Sequence, residues 1–182
     1  MQPLHIAVII GSTRQGRVGD VIGRWVAGVA AQRADVEPVV VDLADYDFPP
    51  CYPAQPTAEM RRFTGQVADA DGFVVVTPEY NRSFPASLKQ AIDYAYDEWR
   101  AKPAGFVSYG SGSQGFHAVE QLRTVFTELH VMTVRTGVGV NLLADEPLDS
   151  EHRRCAAEAM FDQLSWWASA LKEARTRRPY VS

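Results

Sequence analysis

Residues 6–19, IAVIIGSTRQGRVG, constrain the fold more than any other stretch of this chain. A near-continuous apolar run over residues 5–10 stops at Gly11-Ser12, and a helical pattern starts a few residues later. A strand with no polar alternation is buried on both faces, which is the condition of a parallel sheet clothed by helices. The loop between strand and helix has its own chemistry. Gly11 lets the chain turn where a side chain would clash, and Gly16 and Gly19 allow close backbone approach. Ser12 and Thr13 offer hydroxyls, while the loop and first helical turn offer unpaired N–H groups that favour an anion. Arg14 and Arg17 add planar, permanently charged forks suited to phosphate oxygens. The loop reads as a phosphate cradle, against the plainer alternative of a solvated turn. It lacks both the lysine that closes the triphosphatase loop and the glycine spacing of a dinucleotide-binding Rossmann unit.

At 182 residues, with 46% hydrophobic and 22% charged residues, the chain reads as one globular domain over residues 1–182. A net charge of -4 gives no ground for nucleic acid or an anionic membrane as partner, and it makes two arginines in one loop more telling. The two cysteines, Cys51 and Cys155, stand far apart with no signal peptide, as expected of a reduced, cytoplasmic protein. His5, His117, His130 and His152 show no metal-ligand spacing. No apolar run reaches membrane-spanning length.

Taken in order, apolar runs and amphipathic stripes alternate along the chain. A helix is expected over residues 18–33, with Val18, Val21, Ile22, Trp25, Val26 and Val29 on its buried stripe. A buried strand follows at 39–43, and then a segment barred from regular structure by Pro49, Pro50, Pro53 and Pro56. Met60, Phe63 and Val67 stripe a second helix, residues 73–77 form a third strand, and a helix is expected over 84–99 with Trp99 inward. Ser83 is its expected N-cap, with Pro85 in the first turn. Residues 103–109 form a strand, Val119, Leu122, Phe126 and Leu129 stripe a helix, and residues 131–138 form a fifth strand. A last helix spans about 150–175, with Met160, Phe161, Leu164, Trp167 and Leu171 inward. Five strands alternating with five helices make an α/β parallel sheet covered on both faces, where ligands bind beyond the carboxyl ends of the strands.

Three strand ends carry more than plain turns: 11–19, 77–83 and 109–115. Pro78 stiffens the second loop, Asn81 offers an amide that both donates and accepts, and Tyr80 offers an aromatic wall. The third is polar and glycine-rich, which lets backbone lie against a flat ligand.

GSTRQGR, PEYNRSFPASLKQAIDY and SYGSGSQGFHAVEQLR together resemble the NADPH-dependent FMN reductases, a flavodoxin-like group that includes quinone, azo-dye and chromate reductases. The likeness runs through Gly139 in order and spacing, and PEYN followed by LKxAID is its most specific part. It implies a three-layer sandwich with sheet order 2-1-3-4-5, FMN across the three loops, NADPH or NADH as donor, and a homodimer or homotetramer. Ser12, Arg14 and Arg17 would hold the phosphate, with Gly11, Val18 and Gly19 completing their loop. Pro78, Glu79, Tyr80 and Asn81 would contact the isoalloxazine or ribityl chain, and Tyr109, Gly110, Ser111, Gly112 and Gly115 would line the other edge of the ring. Ala86, Gln114, Phe116 and His117 depart from the family's usual residues, the last three flanking the nicotinamide and acceptor side.

The implied chemistry belongs to the flavin, so no catalytic side chain and no metal are expected. A hydride would pass from a nicotinamide, and the electrons would then pass to a small acceptor in the same slot, by a ping-pong mechanism. A flavodoxin-type electron carrier is the alternative, disfavoured by Arg14, Arg17 and the mild charge. A receiver domain is excluded, because Thr77-Pro78 stands where its phosphorylated aspartate would be. Asp42 reads as an N-cap or loop residue. Tyr96 and Trp166, off their helix stripes, are expected to meet a partner subunit, together with Trp99.

Overall fold

The computed structural model describes residues 2–181. The sheet begins with β1 (Leu4–Ile10), β2 (Val36–Asp42), β3 (Gly72–Pro78) and β4 (Pro103–Gly110). These strands run parallel in the order β2-β1-β3-β4, and the sheet is completed by β5 (Met132–Thr133) and β6 (Val138–Asn141), both paired to β4. The order 2-1-3-4-5 is the expected one, with a difference in its last strand. Residues 131–138 do not form a single strand. Pairing to β4 stops at Thr133 and resumes at Val138, and Gly137 crosses the break where a Cβ would lie 2.8 Å from the Phe106 carbonyl oxygen.

Helices α1 (Gly19–Ala31) and α5 (Glu151–Arg177) cover one face, against Ile6, Val8, Val74, Val76 and Val107. On the other face α2 (Ala58–Asp69), α3 (Ala86–Tyr94) and α4 (Phe116–Glu128) pack against Ala7, Ile9, Phe73, Val75 and Phe106. Alternate residues of β1 thus serve opposite cores, and full burial of each large aliphatic side chain contributes about 1.5–3 kcal/mol. An aromatic cluster centred on Trp99 fills the second face, with Phe73 at 4.7 Å and Phe126 at 5.5 Å between ring centroids.

Several expectations are corrected by packing. Val18 and Val21 lie exposed, because α1 meets the sheet along Gly19, Ile22, Gly23, Val26 and Val29. A Cβ on Gly23 would stand 2.5 Å from Ile10 Cδ1, so the helix approaches through its small residues. Val39 and Val40 are exposed on β2, an edge strand. Helix α3 is shorter than 84–99: the backbone is extended at Ala95, and Asp97–Trp99 form a separate 3-10 turn. Trp167 is 38% exposed, since α5 meets the sheet through Ala157, Met160, Phe161, Leu164 and Ala168. Trp99 is fully buried and leaves the expected interface set. Tyr96 and Trp166 are both exposed, but they belong to segments on opposite faces of the sheet and share no patch.

Candidate functional site

The carboxyl ends of β1, β3 and β4 carry the three loops and bring them to one end of the sheet. In the first, Ser12 is buried, while Thr13, Arg14, Gln15 and Gly16 are exposed. The backbone N–H groups of residues 12–16 make no hydrogen bond among the described residues, whereas Arg17 N–H closes the turn on the Arg14 carbonyl at 3.2 Å. Gly16 sits at φ +71°, which an L side chain rarely adopts. The result is a curl of free donors, with Arg14 beside it lacking any ion pair or side-chain hydrogen bond among the described residues. Such a donor set suits a phosphate dianion.

Arg17 is used differently from Arg14. Its guanidinium forks onto Asp42, with 2.5 Å from Nη1 to Oδ1 and from Nη2 to Oδ2, and it also donates to the Ser12 carbonyl. These bonds to Asp42 and the Ser12 carbonyl give Arg17 a role in shaping the loop. The bonded Asp42 carboxylate holds Arg17 above its ordinary pKa despite partial burial. Asp42 also accepts from Ala44 N–H at 3.0 Å, the capping role expected from the sequence. Parallel pairing sets Asp42 beside Ile10 at the end of β1, which is why a residue 25 positions along the chain reaches this loop.

The second loop is tied to the first. Ser12 Oγ and Tyr80 Oη share a hydrogen bond at 3.0 Å, and Ser87 Oγ donates to the Gly11 carbonyl at 2.9 Å. A Cβ on Gly11 would meet Leu88 Cδ2 at 2.9 Å, so helix α3 seats directly against the turn. Tyr80 and Ser83 exchange both backbone hydrogen bonds across Asn81 at φ 50° and Arg82 at φ 63°, the signature of a mirror-image tight turn. This pairing corrects the expected Ser83 cap. Ser83 Oγ instead donates to Gln121, and Pro85 occupies the N-cap position of α3. Asn81 is left exposed at the tip.

Glu79 joins the second loop to the third by accepting from His117 N–H at 3.0 Å, in the first turn of α4. Gln121 Nε2 donates to the Arg82 carbonyl at 2.8 Å, and Arg82 Nη1 donates to His117 Nε2 at 2.9 Å, since a guanidinium has no acceptor. Gly115 turns the third loop at φ +84°, where a Cβ would lie 2.5 Å from Ser108 Cβ. Ser108 Oγ closes that turn on the Gln114 carbonyl. Gly110, Ser111 and Gly112 follow the strand end, with Gly112 N–H held by Asn141.

Tyr109 does not line this loop. Its ring is buried beneath α1, and a Cβ on Gly19 would stand 2.5 Å from its hydroxyl oxygen. That hydroxyl makes no hydrogen bond of full geometry among the described residues, and burial pushes the phenol above its ordinary pKa, with the neighbouring Ser12 hydroxyl pulling the other way. Val18 precedes α1 as an exposed residue. The open space between the first two loops is a cavity of about 640 Å³, lined by Thr13, Arg14, Glu79, Tyr80, Asn81 and the start of α3. Ser87 and Gln121 are the parts of this frame that the sequence analysis does not single out, and Asp42 enters it there only as a capping or loop residue. Ser87, two residues into a helix behind a proline, carries the clearer local signal of the two.

Comparison with known proteins agrees with this architecture. Residues 4–143 match the family described as NADPH-dependent FMN reductase. An NAD(P)H-dependent FMN reductase of Schizosaccharomyces pombe is 35% identical over 150 residues, covering 78% of this chain and 74% of that protein. A quinone reductase of Pseudomonas putida is 29% identical over 183 aligned residues, covering 91% of this chain and 95% of that protein. Among solved structures, a flavodoxin of Pseudomonas aeruginosa superposes with a TM-score of 0.56 at 21% identity, covering 93% of this chain and 99% of that one. The fold is flavodoxin-like.

Proposed function

This chain belongs to the NADPH-dependent FMN reductase family, and from that premise we propose that it passes two electrons from a nicotinamide dinucleotide, through bound FMN, to a small acceptor such as a quinone or free flavin. The observation that carries the reading is the pairing of a free donor curl and an uncommitted Arg14 with the cavity lined by Glu79, Tyr80 and Asn81. One end offers charge and N–H groups to a phosphate. The other offers a stiff, polar turn to a flat heterocycle. The donor set therefore fits FMN.

Bound FMN supplies the redox chemistry, accepting a hydride and returning two electrons. The protein's part is placement. Arg14, Thr13 and the N–H groups of residues 12–16 hold the phosphate, and Arg17 on Asp42 keeps that loop in shape. Pro78 and the 80–83 turn present Asn81 and the backbone to the polar edge of the ring, while Glu79 fixes the turn against α4. Gly110, Ser111, Gly112 and Gly115 approach from the third loop. No side chain is assigned as acid or base. One slot beside the turn takes donor and acceptor in succession, which gives ping-pong kinetics.

The same proposal covers setting and assembly. The chain works as a single-domain cytoplasmic protein and as a homodimer or homotetramer, supported by the exposed pair Trp166 and Trp167 on α5. No described helix is long and apolar enough to cross a membrane.

The test is anaerobic addition of NADPH to purified, FMN-loaded protein, followed at the flavin absorption bands. Bleaching without any acceptor, with parallel double-reciprocal lines when a quinone is varied, is the expected result. A flavin that stays oxidised until a separate reductase is added would make the protein an electron carrier. A preparation that takes up no FMN would remove the reading altogether.

A further inference from the structure

The 110–116 loop touches the second loop of the candidate site at one end and lines a further cavity with its other end. Gly110 lies against Glu79 of the candidate flavin site, where a Cβ would be 3.5 Å from Glu79 Cβ. Ser113, Gln114 and Phe116 line a second cavity of about 640 Å³, bounded by α4 and the broken fifth strand. The break creates the space. Residues 134–137 leave the regular ladder of β4, and Gly137 and Gly139 bring backbone where side chains would close the cleft. A Cβ on Gly139 would stand 2.6 Å from Gln114 Oε1.

The lining is amphipathic and carries a surplus cation. Phe106, Val119 and Val138 make the apolar part, and Phe116 stands at the rim 60% exposed. Two arginines face the cavity. Arg123 is committed, donating to Thr133 Oγ1 at 3.0 Å and the Val134 carbonyl at 2.9 Å, with Glu120 at 3.6 Å. The side chain of Arg135 is in no ion pair or hydrogen bond among the described residues, although it shares the lining. An apolar surface, an exposed aromatic face and one free guanidinium form a receptor for a heterocycle bearing a phosphate.

We propose that this second cavity seats the adenosine-phosphate half of the nicotinamide dinucleotide, with adenine against Phe116 and Arg135 on a phosphate. The inference rests on the flavoenzyme reading above. A dinucleotide crossing the 110–116 loop would then have its nicotinamide on the flavin side and its adenosine on the other. The phosphate is either the 2′-phosphate of NADPH or the pyrophosphate common to both dinucleotides.

Calorimetric titration of FMN-loaded protein with 2′,5′-ADP and with ADP tests the seat without turnover. Binding of either, weakened roughly tenfold to a hundredfold in Arg135→Ala and also weakened in Phe116→Ala, supports the proposal. Tighter binding of 2′,5′-ADP than ADP assigns Arg135 to the 2′-phosphate, and equal binding assigns it to the pyrophosphate. Arg135→Ala should also raise KM for NADPH by a similar factor, leaving kcat, the KM for acceptor and FMN affinity unchanged. If NADPH bleaches the flavin normally but neither nucleotide binds, or Arg135→Ala binds both as wild type does, the seat is elsewhere and the flavoenzyme reading stands. If NADPH fails to bleach the flavin, the premise falls and this inference falls with it.

Discussion

Arg17 and Asp42 meet as two parallel hydrogen bonds of 2.5 Å, joining the loop after β1 to the end of β2. The two arginines of the loop therefore do different work. Arg14 is exposed and uncommitted, while the Arg17 side chain, 17% exposed, is spent on holding the backbone curl. Charge-assisted hydrogen bonds contribute about 1.5–3 kcal/mol each. Arg14→Ala is expected to weaken FMN binding by roughly tenfold to a hundredfold while leaving riboflavin binding and thermal stability nearly unchanged. Arg17→Ala should lower stability by about 1.5–3 kcal/mol and weaken both ligands together. Parallel titrations of apo-protein with FMN and riboflavin, beside urea unfolding, separate the two roles. An Arg17→Ala protein of wild-type stability that loses FMN alone would assign Arg17 to direct phosphate contact.

Gly19 is required by Tyr109 rather than by its own backbone angles. With only 2.5 Å between a Cβ at Gly19 and the Tyr109 hydroxyl oxygen, Gly19→Ala overpacks the junction of α1 and β4 and should cost about 1–3 kcal/mol. The hydroxyl is buried without a hydrogen bond of full geometry, so Tyr109→Phe alone should be neutral or stabilising. The double variant should recover most of the Gly19→Ala loss. Additive losses in a double-mutant cycle of unfolding free energies would show that the clash lies elsewhere.

Glu79 is the clamp between the second and third loops, because its carboxylate accepts from the first turn of α4. A helix N-terminus favours an anion there, and loss of such a cap costs about 1 kcal/mol. Glu79→Ala is expected to destabilise by that amount and to speed hydrogen exchange at the His117 amide. Glu79→Gln keeps an acceptor oxygen and should retain more than half of the effect. Unchanged exchange at His117 in Glu79→Ala would remove the clamp.

The legible parts of this molecule are those set by local chemistry. Runs of β-branched residues mark β1, β3 and β4, and Ser150 caps α5 with its side chain on Arg153 N–H, as a strong N-cap residue should. The positions of the three loops follow from those strands. What escapes a linear reading depends on neighbours set by topology. Arg17 finds Asp42 only once β1 and β2 pair in parallel register. Tyr109 lies at a strand end amid ligand-loop residues, yet its side chain points to the α1 face because of its place in the alternation of β4. Trp167 fits an apolar stripe on paper, but α5 touches the sheet through a narrower line that includes Ala157 and Ala168. The break in the fifth strand lies where Gly137 passes close to the Phe106 carbonyl, a neighbour that no periodicity expresses.

Far from the candidate site, Lys102 gives a pH prediction with a definite sign. Its ammonium is buried at the amino end of β4, donating to the Val67 and Ala68 carbonyls in the last turn of α2, each at 2.7 Å. Burial, with Arg175 nearby, lowers its pKa from 10.5 to about 8, even though Asp71 pulls upward. Between those two values the unfolded chain binds the proton and the folded protein does not, so stability rises with pH across that window. Below about 8 both states are protonated, and the contribution is flat at its least favourable value. The span corresponds to at most about 3 kcal/mol at 1.36 kcal/mol per unit. The raised phenol of Tyr109 acts oppositely, favouring the folded state below the ordinary tyrosine pKa and losing that contribution as pH climbs beyond it. The clean comparison is therefore wild type against Lys102→Met, by urea unfolding from about pH 7 to 9.5. Wild type should gain stability relative to the variant as pH rises through that range, by an amount on the order of 1–2 kcal/mol. A constant difference between the two proteins would mean that Lys102 keeps an ordinary pKa and caps α2 as a plain charged lysine.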